Sequence, residues 1–310
     1  MLKYVAKRLA ELIPTTFGIL LLTFVLFNVV GGSPAEVILG KNATAESIAA
    51  FNHKWGYDKP LIFSRDSQFV RFIGDLCHGD FGYSIENQEP VVEVLKRGVG
   101  PSLSLTVPIL VGGVALGLSL AMLAAAFRGG VMDRAILIGS TVLMSVNYVV
   151  WVLAGQFFLA YGTGIFPVWG YGGVLYLVLP VMIGMLSSLG SDIRFFRTAI
   201  LDELYRPYVL TAKAKGLSAG VVMVRHVLRN ALIPIVTYVS LSIPYLFTGS
   251  LLLESFFGIP GLGSVSINAI HSADMAVVRA VVVLGALLYQ VVNLMTDVLY
   301  AALDPRVRMD

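Results

Sequence analysis

Mostly apolar runs of a length that lets a helix cross about 30 Å of hydrocarbon recur six times along the chain, at residues 12–30, 103–127, 135–160, 174–189, 231–253 and 277–303. The pattern predicts an all-α polytopic membrane protein with six transmembrane helices. The first run follows Lys3, Lys7 and Arg8, as the apolar region of a secretory leader would. Its 19 residues exceed a usual leader, however, and no small-x-small cleavage site closes it, so it is expected to be retained as a span.

Composition agrees with the pattern. Of 310 residues, 57% are apolar and only 13% charged, far below the quarter found in soluble domains. The net charge of +3 is too small for a nucleic-acid footprint. A single cysteine, Cys77, excludes an internal disulfide framework, and with four histidines no metal cluster is expected. Basic residues resist translocation, which sets the orientation. Segments 1–11, 128–134, 192–229 and 304–310 hold 14 of the 22 Lys and Arg, whereas the short loops 161–173 and 254–276 hold none. Both termini are therefore expected in the cytoplasm and residues 31–100 outside. Three units follow: 1–30, an external subdomain at 31–100, and a core at 101–310. No internal repeat is visible.

Two segments outside the spans carry local signals. In the external part, Thr44, Ala45 and Glu46 resemble a helix start, and Ile48, Phe51 and Trp55 fall on one face at i, i+3 and i+7. This subdomain either packs on the helix ends or serves as a gate or dock. In the basic stretch, Pro207 suits a first helical position and Gly216 a left-handed C-terminal one, which predicts a short helix over 207–215. Lys213 and Lys215 stand at its negative dipole end. Leu217, Ser218 and Val222 read as staple, N-cap and N4 partner of a second helix running toward the membrane. Such a piece suits being gripped by another protein; the plain alternative is a basic interfacial loop.

The residues Tyr208-Val-Leu-Thr-Ala-Lys-Ala-Lys-Gly-Leu217, followed by Arg225-His-Val-Leu-Arg-Asn-Ala-Leu-Ile-Pro234, closely resemble the coupling loop of ABC importer permeases of the dipeptide and oligopeptide subfamily. Further stretches resemble the first permease subunit of that subfamily: Ile13-Pro14, Ser33-Pro34-Ala35, Trp55-Gly-Tyr-Asp-Lys-Pro-Leu61, Gly79-Asp-Phe-Gly-Tyr-Ser84, Glu254-Ser-Phe-Phe-Gly-Ile-Pro-Gly-Leu-Gly263 and Asp304-Pro-Arg-Val-Arg308. The resemblance spans the whole chain in order. It departs from the usual pattern at Leu210-Thr211-Ala212 (where generic ABC permeases have Glu-Ala-Ala), Gly31-Gly-Ser-Pro34, Asn147 (where a proline is typical) and Asp274-Met-Ala276.

The resemblance implies a type I ABC importer permease fold in a bacterial cytoplasmic (inner) membrane, working by alternating access. It also implies partners: a homologous second permease subunit, two cytoplasmic ATPase domains and an extracytoplasmic substrate-binding protein. Tyr208, Thr211, Ala212, Lys213, Ala214, Lys215, Gly216 and Leu217 would form the ATPase-coupling element, with the helix around Ala212 fitting a groove on an ATPase subunit. No Gly-x-x-x-x-Gly-Lys-Ser/Thr run occurs, so no phosphate-cradling loop is expected here. The chain is expected to bind no cofactor and catalyse nothing, leaving ATP and Mg to the partner subunits. Peptides are the first substrate expected; a nickel chelate, an opine or a metallophore is the alternative carried by the same subfamily.

Polar residues inside spans face a wet cavity or another helix. Asn147, Tyr148, Thr237, Ser240, Thr248, Glu254 and Asn293 are the candidates for the translocation pathway, with Gln156 a weaker one. Glu254 would stand at the outer mouth, facing a peptide amino terminus or serving the family motif structurally. Gln290, Asn293 and Asp297 share one helical face, which suits either the pathway or helix-to-helix hydrogen bonds. An intramembrane protease is a remote alternative: His226 and Asn230 have a suggestive spacing, but neither Gly-x-Ser-Gly nor His-Glu-x-x-His is present.

Overall fold

The computed structural model describes residues 2–30, 35, 39, 43–55, 58–62, 64, 67–243 and 250–303. Helices dominate, as the apolar runs require, because backbone groups in hydrocarbon must be satisfied within the segment. In chain order they are α1 (Leu2–Val25, continued by a wider turn at Leu26–Val30), α2 (Ala45–Trp55), α3 (Gln68–Cys77), α4 (Val91–Ala126), α5 (Val131–Ser145) and α6 (Tyr148–Ala154, continued through Gly155–Tyr161). Then follow α7 (Val174–Leu204), α8 (Pro207–Ala214), α9 (Ala219–Ser240), α10 (Leu251–Phe257), α11 (Leu262–His271) and α12 (Met275–Leu303). A short antiparallel hairpin, β1 (Tyr83–Ser84) and β2 (Glu89–Pro90), pairs Tyr83 with Pro90 and Ser84 with Glu89.

Among the described residues, five continuous helices are long and apolar enough to cross a membrane, and two bent pairs raise the number to as many as seven. The expected six falls within this range, and two of the expected runs are not straight. The run at 135–160 is not one rod: α5 and α6 meet at 91°. Asn147 makes the corner, its side chain accepting from Val149 N at 2.9 Å as the N-cap of α6. The run at 231–253 is divided as well, because α9 starts at Ala219 and ends at Ser240, while α10 begins at Leu251. The stretch 254–276, expected as a loop, holds α11, set at 83° to α10. The helix expected over 174–189 continues to Leu204, and that expected from 103 begins at Val91.

The spine is α4 against α7. Over 36 residues α4 extends about 54 Å, and its buried positions are largely small: Gly113, Gly117, Ala121, Ala124 and Ala125. Small residues let helix backbones approach where lipid supplies no hydrophobic drive. Gly117 lies under Phe196 of α7, where a Cβ would come within 3.3 Å of the ring. Asp133 of α5 accepts both Arg197 Nε and Nη2 at 2.8 Å, a bidentate pair that ties α5 to α7.

The two ends of α4 are built differently. At its C-terminal end, Ala121 and Ala125 join Ile200, Val209, Ala212, Val222 and Val227 in one core that seats α8. At its N-terminal end, Val91 and Leu95 pack on Leu262, Ala269 and Val277. There α3, capped by Ser67, inserts Phe69 and Phe72 against Phe24 of α1 and Val283 of α12. Their rings meet Phe24 at 5.2 and 5.8 Å. The helix start expected at Thr44 is present, with Ser47 N donating to Thr44 Oγ1 at 3.2 Å. The motif residues at 31–34, Gly56 and Tyr57, and those at 304–308 lie outside the described residues.

Candidate functional site

The first candidate region is α8, which stands between the ends of α7 and α9. Pro207 occupies its first turn, where the missing N–H leaves nothing unpaired. At the other end Gly216 takes φ +80°, Leu217 N donates to Ala212 O at 3.4 Å, and Gly216 N donates to Lys213 O at 2.9 Å. This pair of bonds is the Schellman closure, which needs a residue tolerant of the left-handed region. Ser218 takes the N-cap backbone conformation of the next helix, yet its side chain makes no cap bond. Tyr208 Oη donates to Glu203 Oε2 at 2.6 Å, bracing α8 against the end of α7. Burial pushes the Tyr208 hydroxyl above its ordinary pKa, and the neighbouring Glu203 adds to the effect.

One face of this helix is turned inward. Ala212 is 6% exposed and packs with Val209, Ile200 and Val227 in the chain's own core. Within the helix expected to fit a partner's groove, Ala212 itself is thus turned inward, and its small side chain lets α8 lie close to α9 and α4. The outward face is Leu210, 68% exposed, with Pro207, Thr211, Lys213, Ala214, Lys215 and Gly216 exposed around it. Leu217 is at the edge of that face.

The second region is a cavity of about 370 Å³ midway along the bundle. It is bordered by α4, α6, α7, α9 and α10, and lined on its polar side by Thr106, Tyr148, Ser187, Ser188, Asp192, Tyr238, Ser242 and Ser250. Tyr238 Oη donates to Asp192 Oδ1 at 3.0 Å, and the ring of Tyr238 stacks on Phe195 with centroids 4.3 Å apart. On the side nearer α10, the hydroxyls of Tyr148 and Ser250 are 3.3 Å apart. A concave, mostly apolar space with a few convergent polar groups has the makings of a small-molecule route.

Sequence comparison agrees with this architecture. Residues 113–309 match the family described as binding-protein-dependent transport system inner membrane component, and residues 1–106 match its N-terminal companion, described as Binding-prot-dependent transport system membrane comp, N-term. The chain belongs to this family of importer permeases. It is 34% identical to the glutathione transport system permease protein of Salmonella paratyphi A and 33% to that of Escherichia coli K12, in each case over 99% of both chains. It is 33% identical, over 98% of its length and 99% of the relative, to a probable peptide ABC transporter permease protein of Sinorhizobium fredii. The protein is thus a multi-pass inner-membrane permease subunit of a binding-protein-dependent ABC importer, and non-catalytic.

In this permease the expected pathway residues are not gathered at one place. Of the seven, Tyr148 lines the cavity. Thr237 and Ser240 bond back to Ile233 O and Val236 O of their own helix and are not on the cavity wall. Asn147 serves as the cap at the α5–α6 corner, and Asn293 lies on α12, away from the cavity. Gln290, on the same helix, accepts from Thr16 Oγ1 at 2.6 Å, a helix-to-helix bond between α12 and α1. Gln156 donates to Phe256 O at 2.7 Å and so ties α6 to α10. Thr248 and the side chain of Asp297 lie outside the described residues.

Glu254 also departs from the expected outer-mouth role. It is 0% exposed, and its oxygens are occupied. Oε1 accepts Ser102 Oγ at 2.8 Å and Ser250 N at 3.2 Å; Oε2 accepts Gly263 N at 2.7 Å and Ser264 N at 3.1 Å. The carboxylate thus caps the first turn of α11 from the preceding helix, where exposed N–H groups and the dipole favour negative charge. The motif Glu254-Ser-Phe-Phe-Gly-Ile-Pro-Gly-Leu-Gly263 is the corner that fixes the α10–α11 bend. Asp192, Tyr238, Ser187 and Ser188 were among the cavity residues that sequence reasoning missed. Their signal was present in Ser187-Ser-Leu-Gly-Ser-Asp192, a polar cluster closing an apolar run, but the cluster reads as the start of a loop unless the helix is known to continue.

Proposed function

We propose that this permease pairs with a second, homologous permease subunit around the cavity at Asp192 and Tyr238, stands on two ATPase domains through the outward face of α8, and imports peptides delivered by an extracytoplasmic binding protein. The observation that carries the reading is α8 itself. A helix of eight residues, closed at both ends by its own backbone and presenting an exposed leucine beside two lysines, has a fixed shape to offer a partner. In this reading the termini and α8 face the cytoplasm, in line with the bias of Lys and Arg toward those segments. ATP and Mg are handled by the ATPase domains, and nucleotide-driven closure rocks α7 and α9 through α8, a rigid-body route to alternating access. The names of the relatives, glutathione and peptide permeases, support a peptide as cargo.

The test is reconstitution. Liposomes holding this chain alone are expected to show neither ATP hydrolysis nor uptake. Adding the second permease, the ATPase subunits and a loaded binding protein restores both. Uptake by the isolated chain, or a complete complex that ignores the binding protein, overturns the reading.

A further inference from the structure

Four carboxylates are buried among the described residues: Asp133, Asp192, Glu254 and Asp274. Three have complete partners. Asp133 holds a bidentate arginine and the Gly129 amide; Glu254 accepts four donors; Asp274 accepts Ser84 Oγ, Ile85 N and Glu86 N through Oδ2. None of these three lines the cavity.

Asp192 is different. It is 7% exposed, lines the cavity, and receives hydroxyl donors rather than a cation, with Tyr238 Oη at 3.0 Å and Ser188 beside it one helical turn earlier. Among the described residues no Lys, Arg or His forms an ion pair with it. It is also the sole carboxylate on the described cavity wall. An ionised carboxylate buried among helices is expensive unless paired. On the cavity wall with it are the hydroxyls of Ser187, Ser188 and Tyr238, the last held in place by the stack of its ring on Phe195. An ammonium group carries three donors and no acceptor, and this is a set of oxygen acceptors with one negative charge.

We propose that Asp192, with Tyr238 and Ser188, is the station that receives the ammonium group of a transported peptide as it crosses the cavity, an inference that rests on the cavity being the route. The charge it supplies is matched to a cation that arrives and leaves, which accounts for a buried carboxylate with no resident cation among the described residues.

Cys77 is the one native cysteine, so Cys77→Ser with Ser188→Cys places a single thiol of this chain on the cavity wall. The assembled complex is treated with a trimethylammonium or a sulfonate methanethiosulfonate, labelling of this chain is followed by mass, and rates are corrected for those with a free thiol. The cationic reagent is expected to react at least about tenfold faster, because a charged cleft concentrates its counterion, and the preference is expected to vanish with Asp192→Asn. Equal rates with Asp192 present overturn the ammonium station but leave the route standing; absence of labelling by either reagent overturns both. In transport, Asp192→Asn is expected to cut import of a free-amino dipeptide by about tenfold, while its N-acetylated form, presented on equally saturated binding protein, is imported as by the parent. Equal loss for both peptides, or no loss for either, overturns the assignment.

Discussion

Ser84 Oγ donates to Asp274 Oδ2 at 2.6 Å, joining residues 190 positions apart and fastening the β1–β2 hairpin to the start of α12. Asp274 is buried, accepts Ile85 N and Glu86 N as well, and reaches Val277 N in the first turn of α12. A stretch that carries the resemblance, Gly79–Ser84, and one that departs from it, Asp274–Ala276, thus meet in one contact.

Asp274→Ala leaves one hydroxyl and three amides without their acceptor. Each unsatisfied buried donor costs about 1–3 kcal/mol, so the substitution is expected to lower the thermal midpoint of the purified permease and to open residues 83–90 to proteolysis. Asp274→Glu is expected to lose less, since it retains the charge. Parent-like melting by the alanine variant would show that the hairpin is held by other means.

Gly261 is required by close approach. A Cβ there would come within 2.3 Å of Glu254 Oε2 and 2.5 Å of Ser102 Oγ. Gly261→Ala is expected to displace the carboxylate from the α11 amides and to destabilise by about 1–3 kcal/mol. Glu254→Gln is expected to act in the same direction, since it trades a charged acceptor pair for one carbonyl oxygen and an amide facing N–H donors. Thermal unfolding of both variants in detergent checks this; a neutral Gly261→Ala would mean the corner relaxes freely.

Leu210→Glu and Ala212→Glu separate the two faces of α8. Leu210 is exposed, so its replacement is expected to leave folding and membrane insertion intact while reducing co-purification of the ATPase subunits. Ala212 faces the core with Val209 and Val227, so a buried, unpaired glutamate there is expected to destabilise the permease itself by several kcal/mol. Melting curves beside pull-down yields distinguish the two. If Leu210→Glu recovers ATPase subunits as the parent does, the outward face of α8 is not the contact.

Removing residues 43–65 takes away α2 and leaves α3 seated on Phe24. Hydrolysis by the assembled complex is expected to persist at its basal rate and to lose stimulation by loaded binding protein. Equal stimulation of the deleted and parent complexes would make this segment packing material alone.

Much of the molecule is legible locally. Apolar length yields the membrane class, Pro207 and Gly216 bracket α8, and Thr44 starts α2, because each depends on backbone chemistry within a few residues. The inward turn of Ala212, the corners at Asn147 and Gly258–Gly261, and the continuation of α7 through Asp192 depend on packing between distant segments. Asp192 meets Tyr238 and Ser84 meets Asp274 only when α7 lies against α9 and the hairpin against α12. In a soluble protein, amphipathic periodicity would reveal which face is inside. Lipid tails are as apolar as a core, so within these helices the sequence pattern does not distinguish lipid from neighbour, and that choice is made by close packing of small residues and by pairing of buried polar ones.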